Sequence, residues 1–291
     1  METINSRILT SLYCQPKNSH KGQNGKLTII GGSKLFHGAS LWALKIASRI
    51  VDMVFFSTVK DNKELAQDLK SKLYDFIYIP RNKIEDYILQ SDAVLIGPGM
   101  VRGSNQDSGT GENGQQTRKL TKSLLAKFPQ KKWIIDAGAL QTISPSWLKK
   151  LNKPIITPHF KEFEQLFNIT TKNYAEDKQD KQDKLKTLVL AKAKQFKAII
   201  VLKGKTDIVC NQEKCWLNTT GNEGMTKGGT GDVLAGLIAA LACKNESFLA
   251  AVAGLYINGL AGDEIYKRVG PYFNASDLAD EIPRVMKELI I

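Results

Sequence analysis

The chain has 291 residues, 42% of them hydrophobic and 24% charged, the balance of a soluble globular protein and enough for one large α/β domain or two small ones. No run of about 18 apolar residues marks a membrane span, and the polar stretch Met1 to Lys26 lacks the apolar segment of a secretory signal, so cytoplasm is the expected compartment. The net charge is +12, but the basic residues are spread along the chain without a basic arm or an RNA-binding aromatic pattern. Attraction for small anions such as nucleotides is therefore expected, with no nucleic-acid or membrane partner.

Short apolar runs alternate with amphipathic ones throughout. LTIIGG, VFFSTV, FIYIP, AVLIGPG, KWIIDAG, PIITPH and AIIVLKG read as seven buried strands in chain order. Between them GASLWALKIASRI, KELAQDLKSKL, TRKLTKSLLAKF and KLKTLVLAKAKQF read as helices. Such alternation predicts a largely parallel sheet covered on both faces. VLAGLIAALACK and LAAVAGLYINGLAGDEI are apolar nearly all round, so both should be buried helices. Ser276 to Ile291 suits an amphipathic closing helix. The polar, glycine-rich stretch Arg102 to Arg118 reads as a long loop. Lys172 to Lys186 is a solvated charge run opening a helix. The alternation resumes after each, so residues 1–291 are expected to form a single domain. Cys14, Cys210, Cys215 and Cys243 form no CxxC pair and fit no zinc spacing, and are expected to be reduced thiols.

Five strands end in small or reactive residues: Gly31-Gly32-Ser33, Gly97-Pro98-Gly99, Asp136-Ala137-Gly138, Thr157-Pro158-His159 and Lys203-Gly204-Lys205-Thr206. Glycine after a strand commonly only makes a turn, but five such ends together point to one shared cleft, where open parallel sheets bind ligands. The standard nucleotide motifs are missing. Arg102 stands where a GxGxxG run beginning at Gly97 needs its third glycine, and Ile199 stands where a P-loop ending in Gly204-Lys205-Thr206 needs its first.

GNEGMTKGGTGDVLAG, Gly221 to Gly236, gives another route to phosphate. Its glycines lead into a helix whose free N–H groups and positive end can face an anion. Asp232 would repel that anion unless it serves the reaction, as a base toward a hydroxyl taking part in phosphoryl transfer. An acid at a helix start also reads as an ordinary cap, and the position alone leaves both open.

With Asn218, Gly221-Asn222 and the apolar helix that follows, GGTGDVLAG resembles the ribokinase-like superfamily. More narrowly, GGSKLFHGA, LIGPG, IIDAGAL, ITPHFKEF, VLKGKTDIV and GNEGMTKGGTGDVLAG, in that order from Gly31 to Gly236, resemble the NAD(P)H-hydrate dehydratase family. The resemblance implies a three-layer α/β sandwich with a mainly parallel sheet. It implies ADP- or ATP-dependent dehydration of hydrated NADH or NADPH (the S epimer), with Mg²⁺ and a homo-oligomer, a tetramer among its states. Bacterial members typically use ADP and eukaryotic ones ATP. The dehydratase pattern begins by Lys26, so the epimerase domain some members carry is not expected.

By position, the resemblance makes Asp232 the base that activates the substrate hydroxyl, and Gly229, Thr230 and Gly231 the anion hole. Lys203, Gly204, Lys205, Thr206 and Asp207 line the adenine-nucleotide side with Gly231. Ala39, Gly99 and His159 contact the hydrated nicotinamide nucleotide, and Asn222 contacts phosphate or its metal. Each of Ala39, Gly99 and His159 also has a packing reading: a small residue at a helix start, a turn, and a cap after proline. The family's TPHPGE stands here as TPHFKE, with Phe160-Lys161 in place of Pro-Gly. A second reading is a kinase of the same superfamily acting on a vitamin-precursor alcohol such as hydroxyethylthiazole. A third is a non-catalytic nucleotide-binding regulator, which the intact Asp232 disfavours.

Overall fold

The computed structural model describes residues 2–59, 75–102, 113–171 and 179–290. All seven expected strands form: β1 (Lys26–Ile30), β2 (Met53–Ser57), β3 (Ile77–Tyr78), β4 (Ala93–Ile96), β5 (Lys132–Ile135), β6 (Ile155–Ile156) and β7 (Ile199–Leu202). Two further strands, β8 (Asp207–Cys210) and β9 (Cys215–Asn218), are not among the expected ones. The sheet order is β3-β2-β1-β4-β5-β6-β7-β8-β9, parallel from β3 through β7 and antiparallel across β8 and β9. The chain runs outward from β1 to β3 and then returns to lay β4 against the other side of β1. That reversal opens a crevice beyond the strands' carboxyl ends.

The helices are α1 (His37–Ala47), α2 (Ile84–Gln90), α3 (Gly114–Lys127), α4 (Ala137–Thr142), α5 (Pro145–Leu148), α6 (Phe160–Phe167), α7 (Gln179–Phe196), α8 (Thr230–Lys244), α9 (Ser247–Val269) and α10 (Ala275–Ile290). Side chains alternate across the strands, so one sheet feeds two cores. Leu27, Ile29, Val54, Leu95 and Ile134 pack with α1, α8, α9 and α10, and Ile30, Val94, Ile96, Trp133 and Ile135 pack with α2, α3, α4, α6 and α7. This is the expected three-layer sandwich. Gly236 lets α8 lie against α1: a Cβ there would sit 2.6 Å from the backbone of Ala43. Among the described residues α9 alone is long and apolar enough to cross a membrane, yet most of it is buried among α8, α10 and the sheet.

Two expectations change. Cys210 and Cys215 form a disulfide, with Cα atoms 4.1 Å apart, because the β8–β9 hairpin sets them directly opposite each other. Cys14 and Cys243 are free thiols, exposed and buried respectively. The loop expected to reach Arg118 ends by Asn113, whose Oδ1 accepts the Gln116 N–H at 3.0 Å and caps α3 from Gly114; Asn-Gly is here a helix start and not a turn. The helix expected at 63–73, the loop's residues 103–112 and the charge run's residues 172–178 lie outside the described residues.

Candidate active site

The glycine-rich stretch forms a helix start that only a small residue permits. Gly229 has φ +97°, and a Cβ there would sit 2.5 Å from the Trp42 ring. Thr230 anchors the turn, its hydroxyl donating to Met225 O at 2.6 Å and to Lys227 O at 2.9 Å. Val233 N–H makes the first bond back to Gly229 O, which leaves the N–H groups of Gly231 and Asp232 at the open end of α8. Gly229 is the cap residue and Asp232 is the third residue of the helix. The ordinary-cap reading of Asp232 is thereby corrected, because Gly229 holds the cap position and Asp232 stands three residues further on, within the first turn.

The strand ends converge on that carboxylate. Asp136, at the end of β5, is buried; its Oδ1 accepts from the Thr157 hydroxyl at 2.7 Å and from Lys203 Nζ at 3.3 Å. Lys203 Nζ also lies 3.4 Å from where a Cβ on Gly231 would stand, so the ammonium bridges β5 to the start of α8. Burial opposes its charge, but Asp136, Glu162 and Asp232 together hold it above the usual lysine range. Asp232 shows the opposite balance. Burial pushes its carboxyl up to about 7, the Asp136 charge acts the same way, and Lys203 only partly offsets them. A carboxylate that titrates near neutrality in a cleft is suited to general-base work.

His159 serves two ends. Its Nδ1 accepts the Glu162 N–H at 3.3 Å and its own N–H donates to Glu162 Oε2 at 2.9 Å, forming a capping box at the start of α6. It also pairs with Lys203 across the ends of β6 and β7. Burial lowers its pKa despite the Glu162 charge, and with Nδ1 accepting, the ring's proton sits on Nε2. The exchanged Phe160-Lys161 leaves this box intact. The Phe160 ring lies over the backbone of Gly204, 2.8 Å from where a Cβ would be.

Beyond Lys203 opens a cavity of about 560 Å³, whose lining includes Lys203, Gly204, Lys205, Asp207, Thr230 and Gly231. Thr206 lies in the same turn but not in the wall. Asp207 closes the turn, accepting from Gly204 N–H at 2.9 Å and Asn218 Nδ2 at 3.0 Å; burial pushes its carboxyl up to about 6. Asn222 lines the cavity too, but its Oδ1 accepts the Gly224 N–H and its Nδ2 donates to Asp263, each at 3.0 Å. Its amide is thus engaged in shaping the loop.

Ala39 and Gly99 come together on the far side, a Cβ on Gly99 standing 3.2 Å from that of Ala39. One turn along α1, Trp42 leads back to Gly229. Asp136 and Glu162 were not singled out from the sequence as site residues, nor were Trp42 and Asn258. The strand-end pattern does contain Asp136, but its partners Thr157 and Lys203 are known only from the register of β5, β6 and β7. Among the described residues no three His, Cys, Asp or Glu side chains form a metal-binding group.

The model of the NAD(P)H-hydrate dehydratase family matches residues 27–284. An ADP-dependent (S)-NAD(P)H-hydrate dehydratase of Nitrosopumilus maritimus is 36% identical over 277 residues, 92% of this chain and 91% of that protein. A bifunctional NAD(P)H-hydrate repair enzyme of Methanocaldococcus jannaschii is 38% identical over 285 residues, 96% of this chain but 51% of the relative. The chain thus spans about half the length of the bifunctional relatives it matches. The structure of the ADP/ATP-dependent NAD(P)H-hydrate dehydratase from Bacillus subtilis, co-crystallised with ATP and Mg²⁺, has a TM-score of 0.82 at 24% identity, covering 99% and 98% of the two chains. That likeness concerns the fold alone, which is ribokinase-like. With a family match that runs from β1 into α10 and includes every strand end of the cleft, the chain belongs to the NAD(P)H-hydrate dehydratase family.

Proposed function

We propose that the protein returns hydrated NADH and NADPH, as the S epimer, to NADH and NADPH at the expense of an adenine nucleotide. The observation that carries this is Asp232: a carboxylate titrating near 7, in the first turn of a glycine-led helix, where the two sides of the cleft meet. Deprotonated Asp232 takes the proton of the ring hydroxyl as that oxygen attacks the terminal phosphorus of ADP, and AMP leaves. The N–H groups of the Gly229-Thr230-Gly231 turn hold the transferred phosphoryl group. The ring nitrogen's lone pair then expels phosphate, and loss of a proton from the neighbouring ring carbon restores the double bond. The balance is hydrate plus ADP giving NADH, AMP and phosphate.

Lys203, Gly204, Lys205, Thr206 and Asp207 form the nucleotide side with Gly231. Ala39, Gly99 and His159 form the substrate side, and Asn222 shapes the loop beside the phosphates. We take ADP as the donor ahead of ATP, following the archaeal relatives described as ADP-dependent. Magnesium fits as an ion that arrives with the nucleotide, since it is commonly held by phosphate oxygens and water with one or two carboxylates; when bound it neutralises phosphate charge. A homo-oligomer without nucleic-acid or membrane partners completes the proposal, and light scattering measures the oligomer. The family match favours this activity over phosphorylation of a hydroxyethylthiazole-like alcohol. Incubating the protein with hydrated NADH, Mg²⁺ and either ADP or ATP tests it. Nucleotide-dependent recovery of the absorbance of intact NADH is expected, and no recovery with either nucleotide refutes the reading.

A further inference from the structure

We propose that Asn258 of α9 is the residue that reads the nucleotide's base and selects adenine. The inference rests on the reading of the cavity beside Lys203 as the nucleotide side. Its wall combines Lys203, Lys205 and Gly231, which suit phosphates, with Met225, Leu234 and Leu255, which suit a flat heterocycle. Leu255, Asn258 and Gly259 face it together because they lie three and four residues apart on α9.

Asn258 stands out among the cavity's uncharged polar side chains. The hydroxyls of Thr220, Thr226 and Thr230 all donate to partners within the protein, and both ends of the Asn222 amide are engaged. Asn258 is 5% exposed, and its Oδ1 is buried without a hydrogen-bond partner. A buried amide oxygen left unpaired is costly. The outermost torsion of Asn is broad, so a turn of the amide brings that oxygen to a ligand.

The amide chemistry selects the ligand. A carboxamide meets adenine with two complementary bonds, its oxygen accepting from the exocyclic amine and its N–H donating to a neighbouring ring nitrogen. With N7 as that ring nitrogen, guanine and hypoxanthine present only acceptors, O6 and N7, so the amide oxygen meets a lone pair whichever way the amide is turned.

The test measures dissociation constants by calorimetry for ADP, GDP and inosine diphosphate, on the wild-type protein and on Asn258→Leu and Asn258→Ser, with folding checked by circular dichroism. The wild type should favour ADP by about tenfold or more, the scale of a bidentate amide–base contact. Both variants should lose most of that preference, chiefly through weaker ADP binding. Wild-type protein that binds all three equally would overturn the inference while leaving the nucleotide site standing, and needs no variant to fold. Folded variants that keep the wild-type ratio would overturn it as well, and would assign the Asn258 oxygen to an ordered water. Absence of binding by any of the three at millimolar concentration would instead remove the nucleotide reading on which the inference depends.

Discussion

The two sides of the cleft are built by different means. The proposed substrate side rests mostly on strand ends: Gly99 and His159 follow β4 and β6 and are placed by the register of parallel neighbours, with Ala39 added from the start of α1. The proposed nucleotide side is the Lys203–Asp207 turn set against faces of two long buried helices, α8 and α9. Lys203 and Asp232 are where the two constructions join, one from a strand end and one from a helix start. The difference teaches where sensitivity should lie. Changes at the junction should disturb chemistry and stability together, and changes within one side should disturb one ligand.

The largest effect should come from Asp232→Asn. Turnover should fall about 10²-fold or more, the scale of a positioned general base, while ADP affinity measured by calorimetry is retained or tightened. The same variant should be more stable at alkaline pH. A carboxyl raised from 3.8 to about 7 binds more protons folded than unfolded, so its contribution to stability is lost as pH rises from about 4 toward 7 and stays lost above. Each kcal/mol recovered by the Asn variant at pH 8 should raise Tm by roughly 2–4 °C. A variant of normal rate would reduce Asp232 to a helix-start residue.

Lys203→Met should come next. It strands the buried Asp136 carboxylate, and breaking such a pair costs about 3 kcal/mol or more, readable in urea denaturation. Binding of both ligands should suffer, unlike changes confined to one side.

Asp136→Asn should act more quietly, through the pH profile. The rate should rise with pH through about 7 in the wild type, as Asp232 loses its proton. Removing the Asp136 charge should move that midpoint to lower pH, by about one unit for a close like charge. Glu162, Lys203 and His159, the other groups facing Asp232, remain in place. An unmoved midpoint would separate Asp136 from the base.

His159→Ala should have the smallest effect on the fold, about 1 kcal/mol for a lost cap, and should raise KM for the hydrate without changing ADP affinity. A change in ADP affinity instead would blur the division between the sides.

Much of this architecture was legible. The seven parallel strands are short apolar runs, six of them followed within two residues by Gly, Pro or Asp, and a doubly covered sheet favours such runs. The β8–β9 hairpin was not, because DIVC follows β7 after only the turn Lys203 to Thr206 and was read as part of the motif VLKGKTDIV. The Cys210–Cys215 pairing follows from that hairpin and was missed with it. GGTGD marked the glycine-led helix start, where Gly229 takes a positive φ that a side chain rarely adopts. The Asp136–Thr157–Lys203 cluster was legible only as three of the five strand ends; that the three side chains bond to one another follows from strand order. Asn258 sits in the apolar first half of α9, where a single amide reads as noise until its face of the helix is known.

The central claim is that nucleotide consumption and repair are one reaction passing through Asp232. The most direct measurement is the stoichiometry of products when the protein meets hydrated NADH and ADP in the presence of Mg²⁺. One AMP and one phosphate should appear for each NADH recovered, and none of the three in the Asp232→Asn protein on the same time scale. NADH formed without nucleotide cleavage, or a stable phosphorylated alcohol accumulating in place of NADH, would contradict the account.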